Sequence, residues 1–175
     1  RRTTHPAPSL HAPVADPVGA RRALGIGADE VVFLFFGYVR AYKGVDVLLE
    51  ALRRRPTTPD GPSWRAVIAG EWYVDRAAAD RAAAEPPLAG HVSIVDRYVP
   101  AEEAAALFAA ADVVVLPYRA GTQSGVVPLA YAHGRGVIST RVGGLEEAVS
   151  DETGVLVAPE DPAGLAAAME EVRRG

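Results

Sequence analysis

Short apolar runs recur along the chain, and the stretches between them carry helical spacing. The first run, Val31 to Phe36 (VVFLFF), is continuous, β-branched and aromatic, and Gly37 closes it. An unbroken run of that length predicts a strand buried on both faces, as in a parallel sheet. Gly44 to Arg54 then places Val45, Leu48, Leu49 and Leu52 on one helical face. The alternation continues with strands at Trp64 to Ala69, His91 to Val95, Asp112 to Leu116, Gly136 to Ser139 and Gly154 to Val157. Helices are predicted over Val74 to Ala84, Ala101 to Ala110, from near Ser124, over Leu145 to Val149, and over Asp161 to Val172. Glu102 and Glu103 sit in a first turn where the helix dipole favours them, and Asp161 with Pro162 forms a start signal.

Strands that each lead into a helix predict an α/β fold: a doubly wound, mostly parallel, six-stranded open sheet of Rossmann-like type. The first 18 residues are rich in proline, alanine and polar side chains and read as an arm or linker. A short helix follows over Pro17 to Leu24, capped by Asp16. The expected organisation is an entering arm and short helix over residues 1–24 and one Rossmann-like domain over 25–175. In such sheets ligands bind beyond the carboxyl ends of the strands, at the switch point. The loops of interest are therefore Gly37 to Lys43, Gly70 to Tyr73, Asp96 to Pro100, Pro117 to Gly125 and Arg141 to Gly144.

Composition narrows the chemistry. Cysteine is absent from the 175 residues, which removes disulfides, thiolate metal sites and a cysteine nucleophile. The net charge of −4 is dispersed, with no basic block to hold nucleic acid. No apolar run approaches the roughly 20 residues of a membrane span, so membrane contact is expected only peripherally if at all, and the expected location is the cytoplasm. The four histidines show no metal-ligand spacing, and no metal is expected. Of 18 basic side chains one is lysine, Lys43, in a chain that otherwise uses arginine. A lone lysine marks a position where a compact ammonium serves better than a planar guanidinium, or else is chance.

Several phosphate fingerprints are missing. There is no GxxxxGK[ST] loop, no GxGxxG after the first strand, and no GxSxG elbow. Two other segments carry signal. In GYVRAYKG, Gly37 gives the backbone room while Arg40 and Lys43 bring a fork and a point charge to the mouth of the sheet, a pairing suited to a pyrophosphate. The plainer alternative is a solvated loop with two surface cations. In YRAGTQSGVVPLAY, the backbone amides of Ser124, Gly125 and Val126 would point out of a helix start and face an anion. Here the alternative is an ordinary helix capped by Ser124 or Thr122. Pro128 makes that helix start irregular.

Taken in order, LFFGYVRAYKGVDVLLEAL, AVIAGEW, VDRYVPAEEAAALFAAADVVVLPY, GTQSGVVPLAYAHGRGVIST, VGGLEEAV and TGVLVAPEDPAGLAAAM resemble the C-terminal, donor-binding domain of group 1 (family 4) glycosyltransferases of the GT-B fold. The resemblance covers about residues 31 to 173, and the His5–Pro6 arm with ARRALGIG resembles the segment entering that domain. It implies transfer of a hexosyl-type sugar from a nucleotide-diphospho-sugar (a UDP- or GDP-sugar) to an acceptor, with retention and without a metal. The diphosphate would lie against Lys43 and the helix opening at Ser124, and the base near the loop of Arg97, Tyr98 and Val99. The family's N-terminal acceptor domain, its partner across the active-site cleft, is not in these residues, so the chain by itself is expected to be inactive.

The chain departs from the family in two respects. The E-x7-E pair that contacts sugar and ribose falls on Gly121 and Leu129, and neither can accept a hydroxyl hydrogen bond through its side chain. The arginine that often follows the loop glycine is replaced by Tyr38, with Arg40 the candidate to stand in. Gln123 and Ser124 are the polar side chains placed to take over sugar contacts. Tyr131 and His133 read as packing residues; Glu146 and Glu147 read as helix-start acids, with Glu147 matching a family glutamate; Glu71 and Trp72 are further candidates after the second strand. The competing expectation is a non-catalytic pseudo-glycosyltransferase module that has lost its donor. A relative of the phosphorylases would need a lysine for pyridoxal phosphate, and the single lysine already lies in the diphosphate loop.

Overall fold

The computed structural model describes residues 16–55 and 61–175. The arm over residues 1–15, including His5–Pro6, lies outside the described residues. Six strands form one sheet, all parallel where they pair: β1 (Val31–Phe36), β2 (Trp64–Ala69), β3 (Val92–Val95), β4 (Val113–Leu116), β5 (Gly136–Thr140) and β6 (Gly154–Val157). The helices are α1 (Pro17–Ala23), α2 (Val45–Arg53), α3 (Ala77–Ala84), α4 (Ala101–Ala110), α5 (Val126–Ala132), α6 (Gly144–Ala148) and α7 (Pro162–Arg174). The strand order is β3-β2-β1-β4-β5-β6. The chain first winds outward from β1 to β3, then returns to β4 on the other side. The switch point therefore falls between β1 and β4, which pair through Phe33 with Val113 and Leu34 with Val114.

The apolar runs are buried as expected for a sheet covered on both faces. Val32 to Phe35 and Val114 to Leu116 are at most 1% exposed. Asp16 accepts from the amides of Val18 and Gly19 and so caps α1. Arg21 of α1 then donates to Ala110 O at 3.1 Å and pairs with Asp112 at 2.6 Å, which holds this helix against the amino end of the sheet.

At that same end a cluster of charges is buried. Arg55, Glu170 and Arg173 are each 7% exposed or less. Glu170 pairs with Arg173 at 2.5 Å and with Arg55 at 3.3 Å, while the Arg55 guanidinium lies 4.7 Å from the ring centroids of Phe33 and Trp64. The cluster joins the end of α2 to the end of α7.

Two predicted helix starts move by more than one residue. The stretch from Val74 becomes helical at Ala77, because Asp75 accepts the Ala77 amide and Arg76 is drawn to Asp96 at 3.1 Å. The helix expected near Ser124 begins at Val126, because Ser124 Oγ turns back to the Val126 amide at 3.3 Å. A single 3-10 turn over Ala41–Lys43, not foreseen from spacing, precedes α2.

Candidate functional site

The loops leaving β1, β2, β3 and β4 enclose a cavity of about 440 Å³ at the carboxyl edge of the sheet. The loops touch closely. A Cβ on Gly44 would lie 2.0 Å from Pro117 O, and one on Gly70 would lie 2.1 Å from Gly37 O. Both glycines also hold positive φ, 67° and 144°, so the walls of the cleft meet at positions where a side chain has neither room nor an easy backbone.

Lys43 stands in this cavity, half-buried. Its Nζ lies 5.3 Å from the Tyr118 ring centroid, and it has no carboxylate partner among the described residues. Burial, and secondarily the nearby Arg40 charge, push its pKa below the ordinary 10.5. A partly desolvated cation without a counter-ion is a group able to take up an anion.

The turn that carries Lys43 is fastened from across the switch point. Arg119, after β4, grips Asp46 with both guanidinium nitrogens at 2.6 and 2.8 Å and donates to Ala41 O at 2.9 Å. Its backbone amide donates to Tyr42 O at 2.7 Å, and its Nε reaches Glu160. These bonds hold the Asp46 carboxyl below its ordinary pKa. Tyr118, 2% exposed, forms the floor between the two loops; burial pushes its phenol up to about 12, so it stays neutral. Its hydroxyl lies 3.4 Å from Ser124 Oγ, and its carbonyl accepts from Thr140 Oγ1 at 2.5 Å.

Of the sequence-derived site residues, Gly37, Lys43, Tyr98, Val99, Gln123, Ser124, Gly125 and Val126 all line this cavity. Arg40 does not. Its guanidinium lies 4.5 Å from the Tyr73 ring centroid, and it lines a neighbouring cavity between α2 and α3. The bonds Val39 N to Glu71 O and Tyr73 N to Val39 O join its loop to the Glu71–Tyr73 segment, and aim it that way. Nor are all three amides of the TQSG segment free: that of Val126 faces Ser124 Oγ, and those of Ser124 and Gly125 are unpartnered among the described residues.

Arg97 is paired with Glu103 at 2.5 and 2.8 Å and braces its loop, leaving Tyr98 66% exposed. Leu129 lines the cavity as an apolar wall, and Gly121 packs its carbonyl where a Cβ on Gly143 would stand. Tyr131 bonds Ala148 O and Thr153, and His133 stacks on Phe108 at 5.3 Å, so both are packing residues. Among the described residues, no three His, Asp or Glu side chains gather as a metal site would require. No helix of the described residues is long and apolar enough to cross a membrane.

Sequence reading did not identify Arg119 or Tyr118 as part of the site. Arg119 and Asp46 are 73 residues apart, and no local spacing signals that pair.

The strand order and a cleft at its switch point define a Rossmann-like α/β protein. Within that class the chain belongs to the glycosyl transferases of group 1, whose family model matches residues 30–174. It is 38% identical over 168 residues to a D-inositol 3-phosphate glycosyltransferase of Geodermatophilus obscurus, covering 90% of this chain and 36% of that protein. Among solved structures it resembles the sucrose-phosphate synthase of Thermosynechococcus elongatus, with a TM-score of 0.78 and 31% identity over 93% of this chain and 40% of that one. An Anabaena protein solved in complex with UDP and glucose has the same fold, with a TM-score of 0.74 and 24% identity over 90% of this chain and 42% of that one. The chain thus spans well under half the length of these relatives.

Proposed function

We propose that this chain is the donor-binding half of a retaining glycosyltransferase, taking a nucleotide-diphospho-sugar and working with an N-terminal acceptor domain of its parent protein. The observation that carries this reading is Lys43, a half-buried cation in the cleft without a carboxylate partner among the described residues. In this reading the diphosphate lies between its ammonium and the amides of Ser124 and Gly125, which are unpartnered among the described residues and line the same cavity. As the bond from the anomeric carbon to the diphosphate oxygen breaks, negative charge grows on the leaving group, and a fixed ammonium and amides stabilise that charge. In this reading Lys43 supplies the positive charge and no metal is needed, the base rests by Tyr98 and Val99, and Gln123 and Ser124 face the sugar. A soluble, cytoplasmic setting and a UDP- or GDP-sugar complete the proposal.

The second reading, a module that has lost its donor, is favoured by one observation. Leu129 and Gly121 offer no acidic side chain where the family resemblance implies two. Calorimetric titration of the chain with UDP, GDP and ADP and their sugars separates the two. Saturable binding of one nucleotide diphosphate supports donor binding; a folded sample that binds none of them supports the second reading.

A further inference from the structure

The cavity holds one carboxylate as well as one lysine. Glu71, the first residue after Gly70 at the end of β2, lines it, and its side chain has no hydrogen-bond or ion-pair partner among the described residues. It is not paired with Lys43, although both face the same space. Its backbone is fixed. The Glu71 carbonyl accepts from Val39 N at 2.8 Å, and the next amide, Trp72 N, donates to Asp96 at 3.1 Å. A carboxylate left unpaired on a rigid segment is an acceptor with free lone pairs, ready for hydroxyl donors.

The order of the strands says which hydroxyls these are. Along the carboxyl edge the loops follow the sequence β3, β2, β1, β4. Tyr98 lies after β3, Glu71 after β2, Lys43 after β1, and Ser124 after β4. A nucleoside diphosphate is linear in the same sense, from base to ribose to diphosphate. With the diphosphate between Lys43 and Ser124 and the base at Tyr98, the ribose passes over the β2 loop. We infer that Glu71 accepts hydrogen bonds from the ribose 2′- and 3′-hydroxyls and thereby selects ribonucleotide donors, in a cleft where Leu129 contributes only an apolar surface. This inference rests on the donor-binding reading of the same cleft.

The test is titration of the wild-type chain, Glu71→Ala and Glu71→Gln with UDP, GDP and ADP and with their 2′-deoxy counterparts. Wild type should prefer the ribose form by about tenfold, the effect of a hydrogen bond to a charged acceptor. Glu71→Ala should bring the ratio close to one, and Glu71→Gln should leave an intermediate ratio, with thermal unfolding of both variants unchanged. Lys43→Ala should weaken both forms together and leave the ratio intact, an outcome that a general loss of cleft structure would not give. A wild-type ratio near one, or full discrimination retained in Glu71→Ala, overturns the role of Glu71 alone. Failure of folded wild type to bind any nucleoside diphosphate overturns the donor-binding reading and this inference with it.

Discussion

Lys43 Nζ lies 5.3 Å from the centroid of the Tyr118 ring, so the cation is seated on an aromatic floor and not on a carboxylate. That contact keeps the ammonium in the cleft without neutralising it. Lys43→Ala is expected to weaken nucleoside diphosphate binding by about 10- to 100-fold, the range for a charged hydrogen bond. Lys43→Arg keeps the charge, and a loss of affinity in that variant measures geometry separately. The pH dependence follows from the lowered lysine pKa. Binding needs the protonated amine, so affinity should fall as pH rises, beginning below the ordinary value of 10.5. Lys43→Arg should not show that fall. Calorimetry of diphosphate binding across the alkaline range checks both.

Arg119 places Lys43 from outside the residues that line the cavity. Its bonds to Asp46, Ala41 O and Tyr42 O tie the loop after β4 to the turn before α2. A lysine there would keep the charge but lose the fork that grips Asp46. Arg119→Lys is expected to lower diphosphate affinity several-fold while changing thermal stability little, since Asp46 is largely exposed and such pairs stabilise by about 1 kcal/mol or less. A drop in melting temperature as large as the affinity loss implies would instead mark Arg119 as a residue of the fold at large.

The strands were legible in the sequence because VVFLFF is a continuous apolar run, and WRAVIA and DVVVL become apolar after Arg65 and Asp112, a pattern that suits a sheet buried on both faces. The lysine in its loop was legible too, because strand end, glycine and helix start occur in one short segment. What could not be read was how loops from different strands meet. Arg40 and Lys43 are three apart in sequence, yet one faces Tyr73 and the other Tyr118, because the β1 loop joins Glu71–Tyr73 just before the turn that carries Lys43. Local spacing does not encode that divergence. The same holds for Arg55 and Glu170, which meet across 115 residues.

That buried cluster contributes to acid stability. Arg173 foremost, and then Arg55, hold Glu170 down to about 2 from its ordinary 4.5. The folded value lies below the unfolded one, so the contribution is complete above about pH 4.5 and is lost as pH falls towards about 2. Glu170→Gln leaves the buried Arg55 guanidinium without the carboxylate it pairs with, and the expected cost is about 3–5 kcal/mol at neutral pH. Its denaturation midpoint should then change less than that of wild type over the acid range. Urea titrations of both proteins at a series of pH values test the magnitude and the slope.

Gly44 and Gly134 provide an internal control for how tightly the cleft walls meet. Their φ angles are nearly equal, 67° and 65°. A Cβ on Gly134 would touch nothing within 4 Å, whereas one on Gly44 would lie 2.0 Å from Pro117 O. Gly134→Ala should therefore carry only the left-handed backbone penalty, about 1–2 kcal/mol. Gly44→Ala adds a clash with backbone that can be relieved only by parting the β1 and β4 loops. It should destabilise the chain by clearly more than Gly134→Ala, and it should also weaken diphosphate binding, because Lys43 and Ser124 stand on the loops that part. Equal unfolding free energies for the two variants would mean that the loops yield freely. The cleft would then be adaptable, and the separation between Lys43 and the Ser124 amide would not be fixed by the fold.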